Sequence, residues 1–232
     1  MNDIVILCGG IGSRLQAVVS DRPKPMAQMG DRSFLDILII HAASYGYKRF
    51  ILCTGYKQGF IRDYYQDKFR DLEIIISEES SPLGTAGAVK NAQSFIKSDV
   101  FFAMNGDSFC QLDYNDFMSF HKNKNAFISI ALVLKENISE YGRVLIDESS
   151  RIISFSEKIN LEDIGLINGG VYIFNQRVFD HIPQMIQYSI EYDLFPKILD
   201  KVIYGYEKTG KFIDIGTPER YTQAKDYLRS FL

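Results

Sequence analysis

Short apolar runs alternate with amphipathic segments along the first half of the chain. Runs rich in β-branched and aromatic residues predict strands over residues 4–8, 49–54, 72–77 and 99–104. Between them, apolar positions recur at helical spacing over residues 34–45, 57–69 and 84–96, and again over 114–122. Strand and helix patterns that alternate in this way predict a parallel sheet with helices packed on its faces.

The pattern changes after residue 125, where strands follow one another with fewer helices between them. Strands are predicted over residues 126–134, 144–146, 152–155 and 169–174, and the middle two form a hairpin around the turn at 147–150. A short helix over 190–199, bent at Pro196, and a last strand ending at Gly216 complete this half. We therefore predict one α/β domain over residues 1–232, with a mixed, mostly parallel sheet and halves at 1–125 and 126–232.

Local signals mark the ends of two helices. Ser33 is a typical N-cap for the helix over 34–45, and Gly46 is placed to end it. Thr217 followed by Pro218 predicts the start of the last helix, which we expect to reach residue 231.

Composition narrows the function classes. The 232 residues are 46% hydrophobic and carry a net charge of −3, which supports a sizeable core and argues against a nucleic-acid partner. We expect Cys8 and Cys53 to be core residues and Cys110 to be partly exposed, without a disulfide or zinc site. No leader segment and no membrane-length apolar run are recognised, so a soluble cytoplasmic protein without a membrane partner is expected.

A glycine-rich loop follows the first predicted strand. It reads Gly9-Gly10-Ile11-Gly12-Ser13-Arg14-Leu15, and Lys24 follows between two prolines. Glycines let backbone N–H groups approach a phosphate chain, and Arg14 and Lys24 add positive charge. Leu15 stands where a dinucleotide fingerprint has its third glycine, and no Gly-Lys-Ser/Thr follows as in a P-loop. The alternative is a tight turn with two solvated cations.

Three unusual segments each follow a predicted strand end. They are the glycine loop, residues 79–87, and Asn105-Gly106-Asp107. In open α/β sheets, ligands bind at the carboxyl ends of the strands, so these segments predict one site. Asp107 and Asp214, both beside glycines, are candidate Mg²⁺ ligands, although either alone is also a common turn or cap residue.

The string Gly-Gly-x-Gly-Ser-Arg-Leu…Pro-Lys-Pro-Met resembles the signature of the sugar-1-phosphate nucleotidylyltransferases, which usually have Thr where this chain has Ser13. The resemblance implies a Rossmann-like, GT-A-like three-layer α/β/α nucleotidyltransferase fold. It also implies the transfer of a nucleoside monophosphate to a sugar 1-phosphate with release of pyrophosphate. The first half of the chain would then bind the nucleotide, and the second half the sugar phosphate.

The resemblance implies a role for each matching residue. The metal ligands are Asp107 and Asp214, and the catalytic residues are Lys24, Arg14 and Asp107. The nucleotide-binding residues are Leu7, Gly9, Gly10, Gly12, Ser13, Arg14, Lys24, Glu79, Gly84 and Thr85. The sugar-phosphate-binding residues are Gly142, Glu157, Lys158, Asn168 and Gly170. Departures from the family pattern include Ile159 in place of Pro and Phe212 in place of Trp.

Within the family, the chain is most similar to short guanylyltransferases that act on a heptose 1-phosphate for surface polysaccharide synthesis. Glu79 favours GTP because a carboxylate accepts both adjacent donors of guanine, N1–H and N2–H₂. The alternative is that Glu79 is only a solvated loop residue, and Glu78 is equally well placed to contact the base. A cytidylyl- or uridylyltransferase, and a non-catalytic nucleotide-sugar-binding subunit, remain open, as does a homodimer. The expected partners are GTP and a sugar 1-phosphate, with Mg²⁺ as cofactor.

Overall fold

The computed structural model describes residues 2–158 and 163–228. Its strands are β1 Ile4–Leu7, β2 Gln28–Met29, β3 Arg32–Ser33, β4 Arg49–Thr54, β5 Glu73–Glu78, β6 Val100–Asn105, β7 Ser108–Leu112, β8 Ile128–Lys135, β9 Gly142–Ile146, β10 Ile152–Lys158, β11 Gly165–Asn175, β12 Ile203–Tyr206 and β13 Thr209–Asp214. Its helices are α1 Phe34–Ser44, α2 Gln58–Tyr65, α3 Gly84–Asn91, α4 Tyr114–Asn123, α5 Phe195–Lys197 and α6 Pro218–Leu228.

A nine-stranded sheet forms the centre of the molecule. Its order is β10-β9-β11-β6-β1-β4-β5, and β8 joins β11 to β12. Strands β1, β4, β5, β6, β8, β9 and β12 run in one direction, whereas β10 and β11 run in the other. The prediction of a mixed, mostly parallel sheet is therefore confirmed.

Helices cover both faces of this sheet because its strands are apolar on both sides. On one face Ile4, Ile6 and Leu52 pack in a core that includes side chains of α1, α2, α4 and α6. On the other, Val5 and Ile51 pack with side chains of α3 and α5. Successive strand side chains point to opposite faces, so each parallel strand contributes to both cores and the fold has three layers.

Helix ends follow the local signals closely. Ser33 caps α1 in a capping box with Asp36, as the sequence predicts. The backbone N–H of Arg220 donates to the Thr217 hydroxyl at 3.3 Å, which confirms the cap of α6. The predicted end of this helix, at residue 231, lies outside the described residues. Helix α2 is shorter than predicted and ends at Tyr65, and Phe69 takes a left-handed conformation with φ 57°.

Several expectations for shorter elements are wrong. Strands β7 and β12 were not predicted, and a π-helical turn over Ile190–Leu194 precedes α5 where one helix was expected. Cys110 is buried, not partly exposed, because it lies on β7 and pairs with Phe212 of β13. Within residues 2–158 and 163–228, no helix is both long enough and apolar enough to span a bilayer.

Candidate active site

A cleft of about 590 Å³ opens at the carboxyl ends of β1, β4, β5 and β6. The loops after all four strands contribute to it, as expected at this edge of an open α/β sheet. Its lining residues are Leu7, Gly9, Gly10, Ile11, Gly12, Lys24, Pro25, Gly55, Tyr56, Glu79, Ser80, Ser81, Pro82, Leu83, Gly84, Thr85, Ala88, Asn105, Asp107 and Gln187. The three segments selected from the sequence therefore meet in one place.

The glycine loop passes close to its neighbours, so that a side chain would be strained at Gly12 and tightly packed at Gly9. Gly12 has φ 64°, and a Cβ there would lie 2.8 Å from the Cβ of Lys24. A Cβ on Gly9 would lie 3.0 Å from Oε1 of Glu79 and 3.3 Å from the backbone N of Gly55. At Gly10, by contrast, a Cβ would meet nothing within 4 Å. The loop is thus packed at both ends and open in the middle, where an anion has access to its backbone.

Lys24 and Asp107 form an ion pair at the floor of this cleft. The Lys24 Nζ lies 2.6 Å from Oδ2 of Asp107, and the two side chains are 12% and 42% exposed. Lys24 begins a single 3₁₀ turn that ends at Met26, with Pro23 and Pro25 on either side, so its backbone is restricted. Asp107 is held by the turn after β6, where Gly106 N donates to Leu7 O at 2.9 Å. The pair places a cation and a carboxylate beside the glycine loop.

Asp214 lies at the end of β13, next to the Asp107 turn. The N–H of Ile215 donates to the carbonyl of Asp107 at 3.0 Å, so the two aspartates occupy adjoining chain segments. The Tyr141 hydroxyl donates to Asp214 Oδ2 at 2.7 Å, and Gly216 N and Arg220 Nη1 donate to Oδ1 at 2.9 and 3.1 Å. Burial raises the pKa of Asp214, but these donors outweigh it, and the net effect is a pKa below its ordinary value.

Two carboxylates carried by adjoining chain segments are a donor set that Mg²⁺ accepts together with phosphate oxygens and water. Within the described residues, no group of three or more His, Cys, Asp or Glu side chains is assembled to hold a metal ion. The residues present therefore fit an ion that is shared with a substrate rather than one held by the protein alone.

The structure separates the two neighbouring glutamates that the sequence left equivalent. Glu79 lines the cleft and accepts a hydrogen bond from Leu83 N at 3.1 Å through Oε2. Burial raises its pKa above the ordinary value. Glu78 instead pairs with Arg62, whose Nη1 lies 2.8 Å from Oε1, outside the cleft lining. Only Glu79 of these two can meet a ligand in the cleft.

The start of α3 is joined to the chain just before the π-helical turn. Gly84 has φ 70°, and a Cβ there would lie 2.7 Å from the carbonyl oxygen of Tyr188. That oxygen accepts from Ala86 N and Gly87 N at 2.9 and 3.1 Å. Thr85 lines the cleft, but its hydroxyl accepts from Ile190 N at 2.7 Å. Thr85 therefore also connects α3 to the segment that follows Tyr188.

Two of the predicted sugar-phosphate residues, Asn168 and Gly170, lie on β11, and a Cβ on Gly170 would lie 3.0 Å from Nδ2 of Asn105 in the cleft lining. Asn168 donates to the Tyr172 hydroxyl at 2.7 Å and accepts from Gly170 N at 2.9 Å. Tyr172 in turn donates to Glu191 at 2.9 Å. Gly170 has φ 71°, and a Cβ there would lie 2.8 Å from Oγ of Ser108. These contacts form one connected network at the bulge of β11.

The backbone alone places the other three predicted sugar-phosphate residues, Gly142, Glu157 and Lys158. Gly142 begins β9, and its register partner is Lys158 at the end of β10. The side chains of Glu157 and Lys158 lie outside the described residues.

The cleft lining contains nine of the residues selected from the sequence: Leu7, Gly9, Gly10, Gly12, Lys24, Glu79, Gly84, Thr85 and Asp107. Ser13 and Arg14 are exposed and do not line it. Sequence reasoning missed Tyr56 and Gln187 in the lining, and Arg220 at Asp214. Tyr56 had a usable signal, because it follows Gly55 directly after the second parallel strand. Gln187 and Arg220 had none, since each lies far along the chain from the cleft loops.

The three-layer α/β/α fold, the glycine-rich loop after β1 and the Lys24–Asp107 ion pair are together typical of a nucleotide-binding α/β enzyme. The chain belongs to the nucleotidyl transferase family, whose model matches residues 3–230.

Two enzymes of known name match this chain over nearly its whole length and over nearly the whole of their own. The chain is 36% identical to D-glycero-alpha-D-manno-heptose 1-phosphate guanylyltransferase of Campylobacter jejuni, over 94% of this chain and 96% of that one. It is also 36% identical to the enzyme of the same name from Aneurinibacillus thermoaerophilus, over 99% and 100%. Among solved structures, HddC from Yersinia pseudotuberculosis complexed with GMP-PN is 35% identical, with a TM-score of 0.87 over 98% of this chain and 100% of that one.

Proposed function

We propose that this protein transfers GMP from GTP to D-glycero-α-D-manno-heptose 1-phosphate, forming GDP-heptose and releasing pyrophosphate. The observation that carries the choice of nucleotide is the Glu79 carboxylate, which lines the cleft while Glu78 is paired outside it. The names of two relatives, each 36% identical over nearly the whole chain, support the choice of sugar.

The reaction is a direct displacement at the α-phosphorus. An oxygen of the sugar phosphate attacks, and pyrophosphate leaves in line. The phosphate monoester is already ionised, so the protein needs neither a nucleophile nor a general base of its own. Because both reactants are anions, the protein acts mainly by alignment and by neutralising charge.

Each cation has a separate role in this proposal. Lys24, at the floor of the cleft, stabilises charge that develops on the α-phosphate in the transition state. Arg14, on the exposed part of the glycine loop, neutralises the leaving pyrophosphate, and Lys158 orients the attacking sugar phosphate. The open backbone around Gly10 receives the β- and γ-phosphates.

Asp107 and Asp214 would hold Mg²⁺ in the substrate complex. When bound, the ion neutralises phosphate charge and orients phosphate oxygens. The backbone hydrogen bond from Ile215 to Asp107, which joins the two chain segments that carry these carboxylates, supports this assignment.

Glu79 would recognise guanine through the paired donors N1–H and N2–H₂, and the N–H of Gly84 would donate to O6. Uracil, cytosine and adenine lack two adjacent donors on one edge, so a buried carboxylate would be left partly unpaired with each of them.

The direct test follows pyrophosphate release with Mg²⁺, each of the four nucleoside triphosphates, and a panel of sugar 1-phosphates. We expect the highest kcat/KM with GTP and the heptose 1-phosphate. A preference for CTP or UTP would overturn both the base and the sugar assignments. Nucleotide-sugar binding without any turnover would instead indicate a non-catalytic subunit.

A further inference from the structure

Each of the two carboxylates proposed for the metal is already paired with a cation. Asp107 pairs with Lys24 at 2.6 Å, and Asp214 pairs with Arg220 at 3.1 Å. Lys24 has a role in the proposed reaction, but Arg220 has none so far. Its guanidinium also pairs with Glu140 and lies 5.2 Å from the centre of the Tyr141 ring. Arg220 is therefore part of the immediate surroundings of Asp214.

The Asp214 carboxylate has little capacity left for a metal ion in this arrangement. Its two oxygens accept three hydrogen bonds, from Tyr141, Gly216 and Arg220, and the side chain is only 15% exposed. An ionised carboxylate offers about four lone-pair positions. A divalent ion that approached Asp214 would also meet the positive charge of Arg220. Displacement of the guanidinium would remove this repulsion and free a second position on the carboxylate.

A guanidinium displaced from Asp214 would remain close to the guanidinium of Arg14, where the two together could bind a phosphate group. A Cβ on Gly216 would lie 2.8 Å from Oδ1 of Asp214, 3.7 Å from Nη1 of Arg220 and 3.9 Å from Nη2 of Arg14. The guanidinium groups of Arg14 and Arg220 therefore both lie near Gly216. Two neighbouring arginine forks suit a phosphate group, whose oxygens accept from several N–H donors at once.

We propose that Arg220 belongs to the substrate-binding machinery: it leaves its ion pair with Asp214 and moves to a substrate phosphate, beside Arg14, when the metal binds. This inference rests on the proposed function. The exchange conserves local charge balance, because the incoming cation replaces arginine at the carboxylate while arginine meets the incoming anion. Lys24 makes the same exchange at Asp107.

Metal binding and phosphate binding are then coupled. Without a phosphate ligand, the metal has to separate Arg220 from Asp214 with nothing to receive the guanidinium. With a phosphate ligand present, both groups gain a partner. Coupling between two ligands is reciprocal, and typical values change affinity about 5- to 150-fold.

The test measures Mn²⁺ binding to the protein without nucleotide, from the electron paramagnetic resonance signal of unbound Mn²⁺. We expect Arg220→Gln to bind Mn²⁺ roughly fivefold or more tightly than the wild type, because the competing cation is gone. Arg220→Lys keeps the charge and should stay close to the wild type. Arg62→Gln, which removes an arginine paired with Glu78 outside the cleft, is the matched control and should change nothing.

A second measurement adds inorganic phosphate, with a correction for Mn²⁺ bound to phosphate itself. Phosphate should raise the Mn²⁺ affinity of the wild type at least about fivefold and that of Arg220→Gln much less. Equal or weaker Mn²⁺ binding by folded Arg220→Gln, or unchanged coupling, would overturn the inference. Circular dichroism verifies that each variant is folded.

These outcomes are distinct from a failure of the proposed function. Absence of pyrophosphate release by the wild type would reject the reaction, whatever Arg220 does. If Asp214→Asn binds Mn²⁺ as the wild type does, the metal assignment itself is wrong, and the inference falls with it. Normal turnover with unchanged Mn²⁺ binding in Arg220→Gln would reject the inference alone.

Discussion

The two sides of the candidate site differ in how far their polar groups are already paired. On the side that we propose binds the nucleotide, which comprises the loops after β1, β4, β5 and β6, several glycines line the cleft and the middle of the glycine loop is open. On the side around Asp214 and β11, side chains bind one another. Tyr141 and Arg220 hold Asp214, and Asn168, Tyr172 and Glu191 form a chain of hydrogen bonds.

Sheet geometry explains this difference. Parallel strands end at one edge, where each loop leaves free backbone around the cleft. Strand β11 runs against its neighbours β6 and β8, and β13 runs against β7, so these strands bring side chains from distant parts of the chain together. On the proposed nucleotide side, the glycine loop leaves room for a ligand. On the Asp214 side, the proposed binding of a ligand requires an exchange of ion-pair partners.

The largest effect should come from removing one charge on each side. Asp107→Asn and Asp214→Asn should each lower turnover at least roughly 100-fold, because each removes a charged ligand from a weakly held metal ion. Turnover is measured over a range of Mg²⁺ concentrations, with circular dichroism as the folding control. Full activity of either variant at low Mg²⁺ would show that the carboxylate on that side has no metal role.

Lys24 tests whether the nucleotide side acts on the transition state or only binds. Lys24→Ala should depress kcat and kcat/KM together, by roughly 100-fold, because the ammonium stabilises charge that develops only during transfer. Steady-state kinetics with GTP as the varied substrate measure both constants. A rise in KM with an unchanged kcat would assign Lys24 to uniform substrate binding.

Glu79 tests base selection on the same side. Glu79→Gln should reduce the preference for GTP over UTP and CTP by about ten- to a hundredfold, because an amide offers one acceptor and one donor where guanine needs two acceptors. The measurement is kcat/KM for all four triphosphates. Glu78→Gln is the matched control, since Glu78 pairs with Arg62 outside the cleft. An equal change in both variants would remove the special role of Glu79.

The smallest effect concerns the side-chain network of β11. Tyr172→Phe removes the hydroxyl that joins Asn168 to Glu191, and it should cost about 1 kcal/mol of unfolding free energy. We also expect KM for the sugar phosphate to rise a few-fold, while KM for GTP changes little. Tyr206→Phe, whose hydroxyl donates to Asp116 at 2.7 Å, is the control. Tyr206→Phe should lose similar stability without a change in either KM. If it raised the KM for the sugar phosphate as much as Tyr172→Phe does, the β11 network would have no specific role in binding the sugar phosphate.

The sequence predicted the first half of the fold better than the second. Strand β4 was predicted with its observed bounds, and α1 with its cap, because a continuous apolar run and a capping box are local signals. Strands β7 and β12 were missed because each is short and is stabilised by pairing with a distant strand. Strand β7 pairs with β13, and β12 pairs with β8. The exposure of Cys110 was wrong for the same reason.

For the site, the sequence by itself determined which loops meet at the candidate cleft. Glycine spacing, the prolines around Lys24, and acidic residues after strand ends are properties of short segments, and parallel strands bring such ends together. Only the tertiary structure decided how the charges pair. It directed Glu79 into the cleft and Glu78 to Arg62, and it placed Arg220 against Asp214. Such choices depend on which side chains meet across the fold, and electrostatic contacts between distant segments leave no pattern in the sequence of either one.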